Sequence, residues 1–307
     1  MPDGWAQSLL WIGSVSMKTI AAITLALVEL ASIGRAQQPG PDAEAEAMLH
    51  AGQYGPAIEM LSQEIAANPR DARAYCDRAY AYSGTRDCDK ALADCSAAIK
   101  LYPNYAKAYC IMGNANWIKG SREEAANDFD EALKLDPKDA SIWFDRGLFY
   151  LHKDNARTVT DMSEAIRLIP NYEQAYYDRA DAYFDQQQYP EAIQDYTDAI
   201  RLNPNLGNLY HQRGFAYERS GNLDEAIADF GSAIALKPQS DLEYYTRGCA
   251  YGVVHDYGKA IADYAAAIGI NPKVSAYYTQ RGQAYQQLGD IDQANADLKQ
   301  AAMLKGQ

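Results

Sequence analysis

Residues 210–238 read YHQRGFAYERSGNLDEAIADFGSAIALKP. Two apolar-periodic segments flank a polar turn at Ser220-Gly221-Asn222. Tyr210, Gly214 and Tyr217 recur at helical spacing in the first segment, and Ala226, Phe230 and Ala233 in the second. Asp224 is read as the N-cap region of the second segment, and Pro238 as its stop. The stretch predicts an antiparallel helical hairpin.

The hairpin is one copy of many. Its closing proline recurs at Pro69, Pro103, Pro137, Pro170, Pro204, Pro238 and Pro272, with successive differences of 34, 34, 33, 34, 34 and 34. An eighth copy runs from Ser275 to the C-terminus without a proline of its own. A period of about 34 residues with two helices per period marks a stacked repeat, because one hairpin cannot bury its apolar face alone.

In the regular copies an aromatic is followed by a small residue, an aromatic, Ala, an aromatic, Ala and Pro; the first helix of copy one is degenerate, with Ala45 and Met48 at the small and large sites. The fifth copy reads Tyr176, Ala180, Tyr183, Ala192, Tyr196, Ala199, Pro204. The second reads Tyr75, Ala79, Tyr82, Ala91, Cys95, Ala98, Pro103, and the seventh Tyr244, Gly248, Tyr251, Ala260, Tyr264, Ala267, Pro272. This pattern resembles the tetratricopeptide repeat family and covers almost everything after Pro41. The resemblance implies an all-α fold: an α-α superhelix, or solenoid, of eight hairpins. Their ranges are about 38–71, 72–105, 106–139, 140–172, 173–206, 207–240, 241–274 and 275–307, in an array over 42–307.

The formal charge of −13 and the absence of a Lys/Arg cluster exclude nucleic acid as the main ligand. The acidity, spread over helix faces, is read as a solubility feature. The 24 tyrosines against 6 phenylalanines sit mostly at repeat positions, where rings pack and hydroxyls reach an edge.

Residues 1–36 fall outside the repeat. Met17-Lys18, the apolar run Thr19 to Leu30, and Gly34-Arg35-Ala36 read as a secretory signal cleaved before Gln37, with 37–41 a short linker. Met17 is a candidate true start. The expected location is periplasmic or secreted. The alternative, an anchor in the inner membrane through residues 5–33, places Lys18 and Glu29 in hydrocarbon, which is costly. Membrane association is expected only on that alternative.

Copy four is one residue short, near His152-Lys153-Asp154, and carries Thr158 where a packing alanine belongs. A looser joint is expected there. Gly221 and Gly258 are read as turn residues. In copy eight, Asn295 and Ala302 replace residues that are apolar in most earlier copies, so the last helix is read as a solubilising cap.

Five cysteines, Cys76, Cys88, Cys95, Cys110 and Cys249, leave at least one free thiol. Cys76 with Cys95, across one hairpin, is the only pairing worth testing. Arg78, Arg146, Arg179, Arg213, Arg247 and Arg281 share one first-helix site; Asp94, Asp128, Asp161, Asp195, Asp229, Asp263 and Asp297 share one second-helix site. Regular recurrence predicts a structural Arg–carboxylate ladder. The four histidines lie in four different copies without metal spacing, so no metal site is expected. There is no nucleophile elbow, phosphate loop or isolated carboxylate pair, and neither catalysis nor a cofactor is expected.

The resemblance further implies that first helices line a concave face and that variable first-helix sites meet a guest. Those sites give Arg73, Cys76, Tyr80, Lys107, Cys110, Asn114, Trp117 and Phe144. Further on they give Tyr177, Asp181, Phe184, His211, Phe215, Arg219 and Tyr245. Burying one ring contributes about 1.5–3 kcal/mol, so a few rings support roughly micromolar peptide binding after ordering costs. Some relatives clamp a C-terminal carboxylate with Lys and Asn four residues apart. Asn114 fits the Asn, but Cys110 stands where Lys should be. The function expected is a non-enzymatic scaffold for a protein or peptide partner. Self-assembly and a thiol-dependent role for Cys76 or Cys110 are the alternatives; the residues leave the oligomeric state open.

Overall fold

A computed structural model describes residues 42–306. The readings of residues 1–36 as a signal and 37–41 as a linker lie outside the described residues. All regular structure among the described residues is α-helical, in sixteen helices. None of them is long and apolar enough to cross a membrane.

The chain divides into two compact units, Met1–Tyr150 with Arg167–Ile169, and Leu151–Ile166 with Pro170–Gln307. The first holds α1 Asp42–His50, α2 Tyr54–Ala67, α3 Ala72–Gly84, α4 Cys88–Leu101, α5 Ala106–Lys119, α6 Arg122–Leu135 and α7 Ala140–Tyr150. The second holds most of α8 Asn155–Leu168, then α9 Glu173–Asp185, α10 Tyr189–Leu202, α11 Gly207–Arg219 and α12 Leu223–Leu236. It ends with α13 Asp241–Val253, α14 Tyr257–Ile270, α15 Ser275–Gln287 and α16 Ile291–Lys305. Each unit is a solenoid of antiparallel hairpins. The division falls inside the fourth copy. There α7 ends at Tyr150 after 11 residues and α8 begins at Asn155, where α5 runs for 14 and α6 begins at Arg122, so the first helix is shorter and the turn longer. Thr158 is fully buried, and its hydroxyl donates to the Asp154 carbonyl at 3.4 Å.

Each hairpin closes by wedging a second-helix side chain against a small first-helix residue. In the sixth copy Phe230 is fully buried and fills the space over Gly214, where a Cβ would come within 2.7 Å of the ring. Tyr264 over Gly248 and Phe129 over Gly113 repeat the device. Ala226, Asp229, Phe230, Ala233 and Ile234 form one buried face of α12, spaced as a helix requires. Asn295 and Ala302 are exposed on α16.

The turn inside each hairpin is also constant. Gly221 takes φ +86°; its N–H bonds to the Glu218 carbonyl, and Asn222 N–H reaches the Tyr217 carbonyl at 2.9 Å. This pair of bonds caps the first helix in the left-handed manner that glycine favours. The same φ region is held by Gly52, Gly120 and Gly289, and by four non-glycines, Arg86, His152, Gln187 and His255. Gly258 is not a turn residue: it lies within α14, and His255 takes the turn. Asp224 is not the cap of α12. Asn222 is, and Asp224 sits in the first turn, where its charge favours the helix N-terminus.

The arginine ladder forms within the hairpins. Arg213 Nε and Nη2 donate to the two Asp229 oxygens at 2.7 Å each. Arg78–Asp94, Arg179–Asp195, Arg247–Asp263 and Arg281–Asp297 form the same fork. A further bond crosses to the preceding hairpin: Nη1 of Arg78, Arg179 and Arg213 donates to Ser62, Ser163 and Thr197 at 2.9–3.0 Å. Arg146 uses Asp130, the residue at the hydroxyl's site, at 2.7 Å. In copy three, Met112 replaces the arginine, and Asp128 accepts from Asn116 at 2.7 Å instead.

At the hydroxyl's site before Arg247 stands Gly231, whose Cβ would lie 3.5 Å from Nη1, in ordinary contact. Gly231→Ser should therefore add the missing bond and a better helix former, raising stability by about 0.5–1.5 kcal/mol. The midpoint of urea unfolding checks this, with Gly231→Ala separating helix propensity from the hydrogen bond.

Candidate functional site

The first helices of each unit lie side by side, and bonds between them build a wall. In the first unit, Lys107 Nζ on α5 meets Asp77 on α3 at 2.8 Å, and Arg73 Nε reaches the same carboxylate at 3.3 Å. Asp145 on α7 accepts from Asn114 Nδ2 at 2.8 Å and from the Cys110 thiol at 3.2 Å, both on α5. Tyr80 stands edge-on to Tyr54 at 6.4 Å, and Trp117 edge-on to Phe149 at 5.9 Å. Tyr80, Lys107, Asn114 and Trp117 keep part of their surface open, and Arg73 is exposed.

Three expected guest contacts in this unit are corrected. Cys76 is fully buried, Cys110 is 5% exposed and Phe144 is 1% exposed. At these register sites neighbouring helices close over the side chain. Cys76 packs in one cluster with Cys95, and all five cysteines are free thiols. Burial pushes the Cys76 thiol up to about 12, so it holds its proton and is a poor nucleophile at neutral pH. Cys110 is raised well above the ordinary thiol range by burial, and then by the Asp145 charge. The geometry therefore disfavours a thiol-dependent role.

In the second unit the wall is built from α9, α11, α13 and α15. Asp181 accepts from the Tyr196 hydroxyl at 2.5 Å and also meets Gln212 on α11. His211 Nδ1 lies 2.5 Å from Glu243 Oε2 on α13, with its ring edge-on to Phe215 at 4.7 Å. Tyr245 stacks at 4.9 Å on Tyr277 of α15. His152 Nδ1 meets Asp185 at 2.5 Å; the carboxylate pushes the imidazole pKa up against the opposing effect of burial. Tyr177 packs on Tyr196 at 6.0 Å, Phe184 on Tyr189 at 5.6 Å, and Phe215 on Phe230 at 5.4 Å. Tyr177, Asp181, Phe184, His211, Phe215 and Tyr245 are all half-buried, and Arg219 is exposed.

The sequence reading missed the buried acids of this wall. Asp77, Asp145 and Asp178 are 4–6% exposed and share one register site, immediately before the arginine of the ladder. That recurrence was available as a signal. Glu243, at 4% exposure, and the second-helix Tyr196 were missed as well. Among the described residues no three His, Cys, Asp or Glu side chains gather as a metal-holding group.

Family models described as tetratricopeptide repeat match residues 43–106, 207–240 and 275–307, and one described as TPR repeat matches 113–154 and 180–221. Together they span well over half of the chain. The chain belongs to the tetratricopeptide repeat family.

The repeats are 33% identical over 95 residues to the small glutamine-rich tetratricopeptide repeat-containing protein 2 of Mycosarcoma maydis, covering 31% of this chain and 27% of that one. They are 33% identical over 85 residues to the Hsp70-Hsp90 organizing protein 3 of Arabidopsis thaliana, covering 28% and 15%. The chain thus matches less than a third of the length of these curated relatives. The crystal structure of the C-terminal part of a repeat-containing protein from Cytophaga hutchinsonii aligns with a TM-score of 0.64 at 18% identity, over 78% of this chain and 98% of that one. That likeness is one of fold. No enzyme family is indicated.

The buried acids make the repeats sensitive to pH. Burial pushes the Asp145 carboxyl up to about 6, against the opposing bonds from Asn114 and Cys110. A carboxyl that holds its proton more tightly when folded favours the folded state at low pH, and that advantage fades as pH rises from about 4 through about 6. Asp145→Asn should therefore be more stable than the parent at neutral pH, by on the order of 2 kcal/mol, and nearly equal to it near pH 4. Urea unfolding of both proteins across that range, read by a probe in the first unit, checks the sign.

Proposed function

We propose that the protein is a non-enzymatic interaction scaffold whose first-helix wall takes an extended peptide or partner segment. The observation that carries this reading is the row of half-buried rings Tyr177, Phe184, Phe215 and Tyr245. Each is anchored on a neighbouring ring and keeps a face that its own unit leaves uncovered. Rigid, partly exposed aromatics are the anchors that peptide grooves use. Membership of a family that includes chaperone organisers supports an adaptor role. The composition of residues 1–36 supports export, for which the test is N-terminal sequencing of the mature protein: a chain beginning at Gln37 is expected, and retention of the segment overturns the proposal.

Selection from a displayed peptide library tests the groove. The native chain should enrich a family of related peptides. A Trp117→Ala/Phe184→Ala/Phe215→Ala variant with native-like circular dichroism should not. Equal enrichment by both proteins, or none by the native one, overturns the reading.

A further inference from the structure

One repeated carboxylate is partnered differently along the chain. In the first unit, buried Asp77 receives two cations, Arg73 one turn back on its own helix and Lys107 from the next first helix, while Asp145 at the same register accepts from Asn114 and Cys110. In the second, the same register site is Asp178, 4% exposed. The residue one turn back is Gln174, whose amide nitrogen lies 3.3 Å from both Asp178 oxygens. The residue at the register of Lys107 is Asn208, which is exposed at the start of α11. Both cations have become neutral amides, while the carboxylate has stayed.

The surroundings deepen the deficit. Asp181, one turn further along α9, has the Tyr196 and Tyr177 hydroxyls and the Gln212 amide as partners, with the His152 imidazole nearby and no lysine or arginine among them. Asp185 meets the His152 imidazole and Glu243 the His211 imidazole, and half-buried Glu218 has Arg219 nearby. Isolated buried carboxylates are costly unless paired. The half-buried rings of Tyr177, Phe184 and Phe215 lie among these acids on α9 and α11.

We propose that the wall of α9 and α11 takes a cationic peptide segment, whose lysine or arginine enters beside Asn208 to pair with Asp178 and Asp181 as Lys107 pairs with Asp77. The alkyl stems of such side chains lie on the rings, which apolar stems do readily. The inference rests on the groove reading and names the chemical class of its guest. An acidic tail and a nucleic-acid backbone carry the wrong sign for this face.

The experiment is a fluorescence-anisotropy titration with two labelled peptides of equal length. Both carry leucine and phenylalanine at alternate positions; the others are lysine and arginine in one peptide and glutamate in its twin. The native chain should bind the basic peptide and not the twin. Asn208→Lys supplies the missing cation in cis and should weaken the basic peptide by about tenfold, a factor equivalent to about 1.4 kcal/mol. Asn127→Lys, the same charge change on exposed α6, should alter affinity less than about twofold. Equal weakening by both lysine variants reduces the effect to net charge and overturns the assignment. Binding of the glutamate twin with loss in Phe184→Ala/Phe215→Ala overturns the cationic guest and leaves the groove standing. Binding of neither peptide overturns the cationic guest; an empty library selection beside it removes the groove too.

Discussion

Phe230→Ala should cost the second unit about 3–5 kcal/mol, the range for deleting a fully buried ring whose surroundings relax only in part. The ring is fully enclosed, and it touches Gly214 from above and His211 and Phe215 from the side. Its removal opens a void that Gly214 has no side chain to fill. The damage should be local at first, because a stacked repeat contacts only its neighbours. Hydrogen exchange should therefore quicken in α11 to α13 well before α3 to α5 respond. Uniform acceleration across both units would contradict this. Phe230→Leu, which keeps most of the volume, should recover the larger share of the loss.

The second large effect concerns the arginine fork. Arg213→Met leaves Asp229 buried at 5% exposure with its two charge-assisted bonds gone. Removing one member of such a pair costs about 3–5 kcal/mol, much of it the stranded charge. Arg213→Met/Asp229→Leu strands nothing and should recover most of that loss. A double-mutant cycle on urea midpoints measures the difference. Additive single losses would show that the fork contributes little. The Tyr210 and Tyr217 rings flank the guanidinium at 5.8 Å each, so part of the arginine's contribution survives in any variant that keeps an alkyl chain there.

The hairpins and their order were legible because the proline period and the alternation of small and aromatic residues act in every copy. The Arg–Asp forks were legible for the same reason. The hydroxyls of Ser62, Ser163 and Thr197, which join hairpin to hairpin, were not read. They occupy a variable second-helix site and gain meaning only when the preceding copy is packed on the next. The turns at Arg86, Gln187 and His255 were hidden differently. Helix-end hydrogen bonds impose the left-handed φ, so the residue type need not announce it. The candidate wall was read by register alone. Tyr177, Phe184 and Phe215 are half-buried at their register sites, but register cannot say that Cys76 and Phe144 are covered, because covering depends on neighbouring side-chain volumes. Nor did it weigh Asp178, whose meaning comes from the loss of two partners rather than from its own identity.

The cross-hairpin arginine bond runs out toward the C-terminus. It is present at Arg179 and Arg213, but Gly231 and Ala265 offer no acceptor to Arg247 and Arg281. The two C-terminal seams thus lack this bolt and keep as polar links the His211–Glu243 pair and the Tyr277 hydroxyl bond to Asp241. With one charge-assisted bond fewer, they should resist shear less. Under a pulling load applied at the C-terminus, α15 with α16 should peel away first and α13 with α14 next, while the bolted copies yield only at higher force.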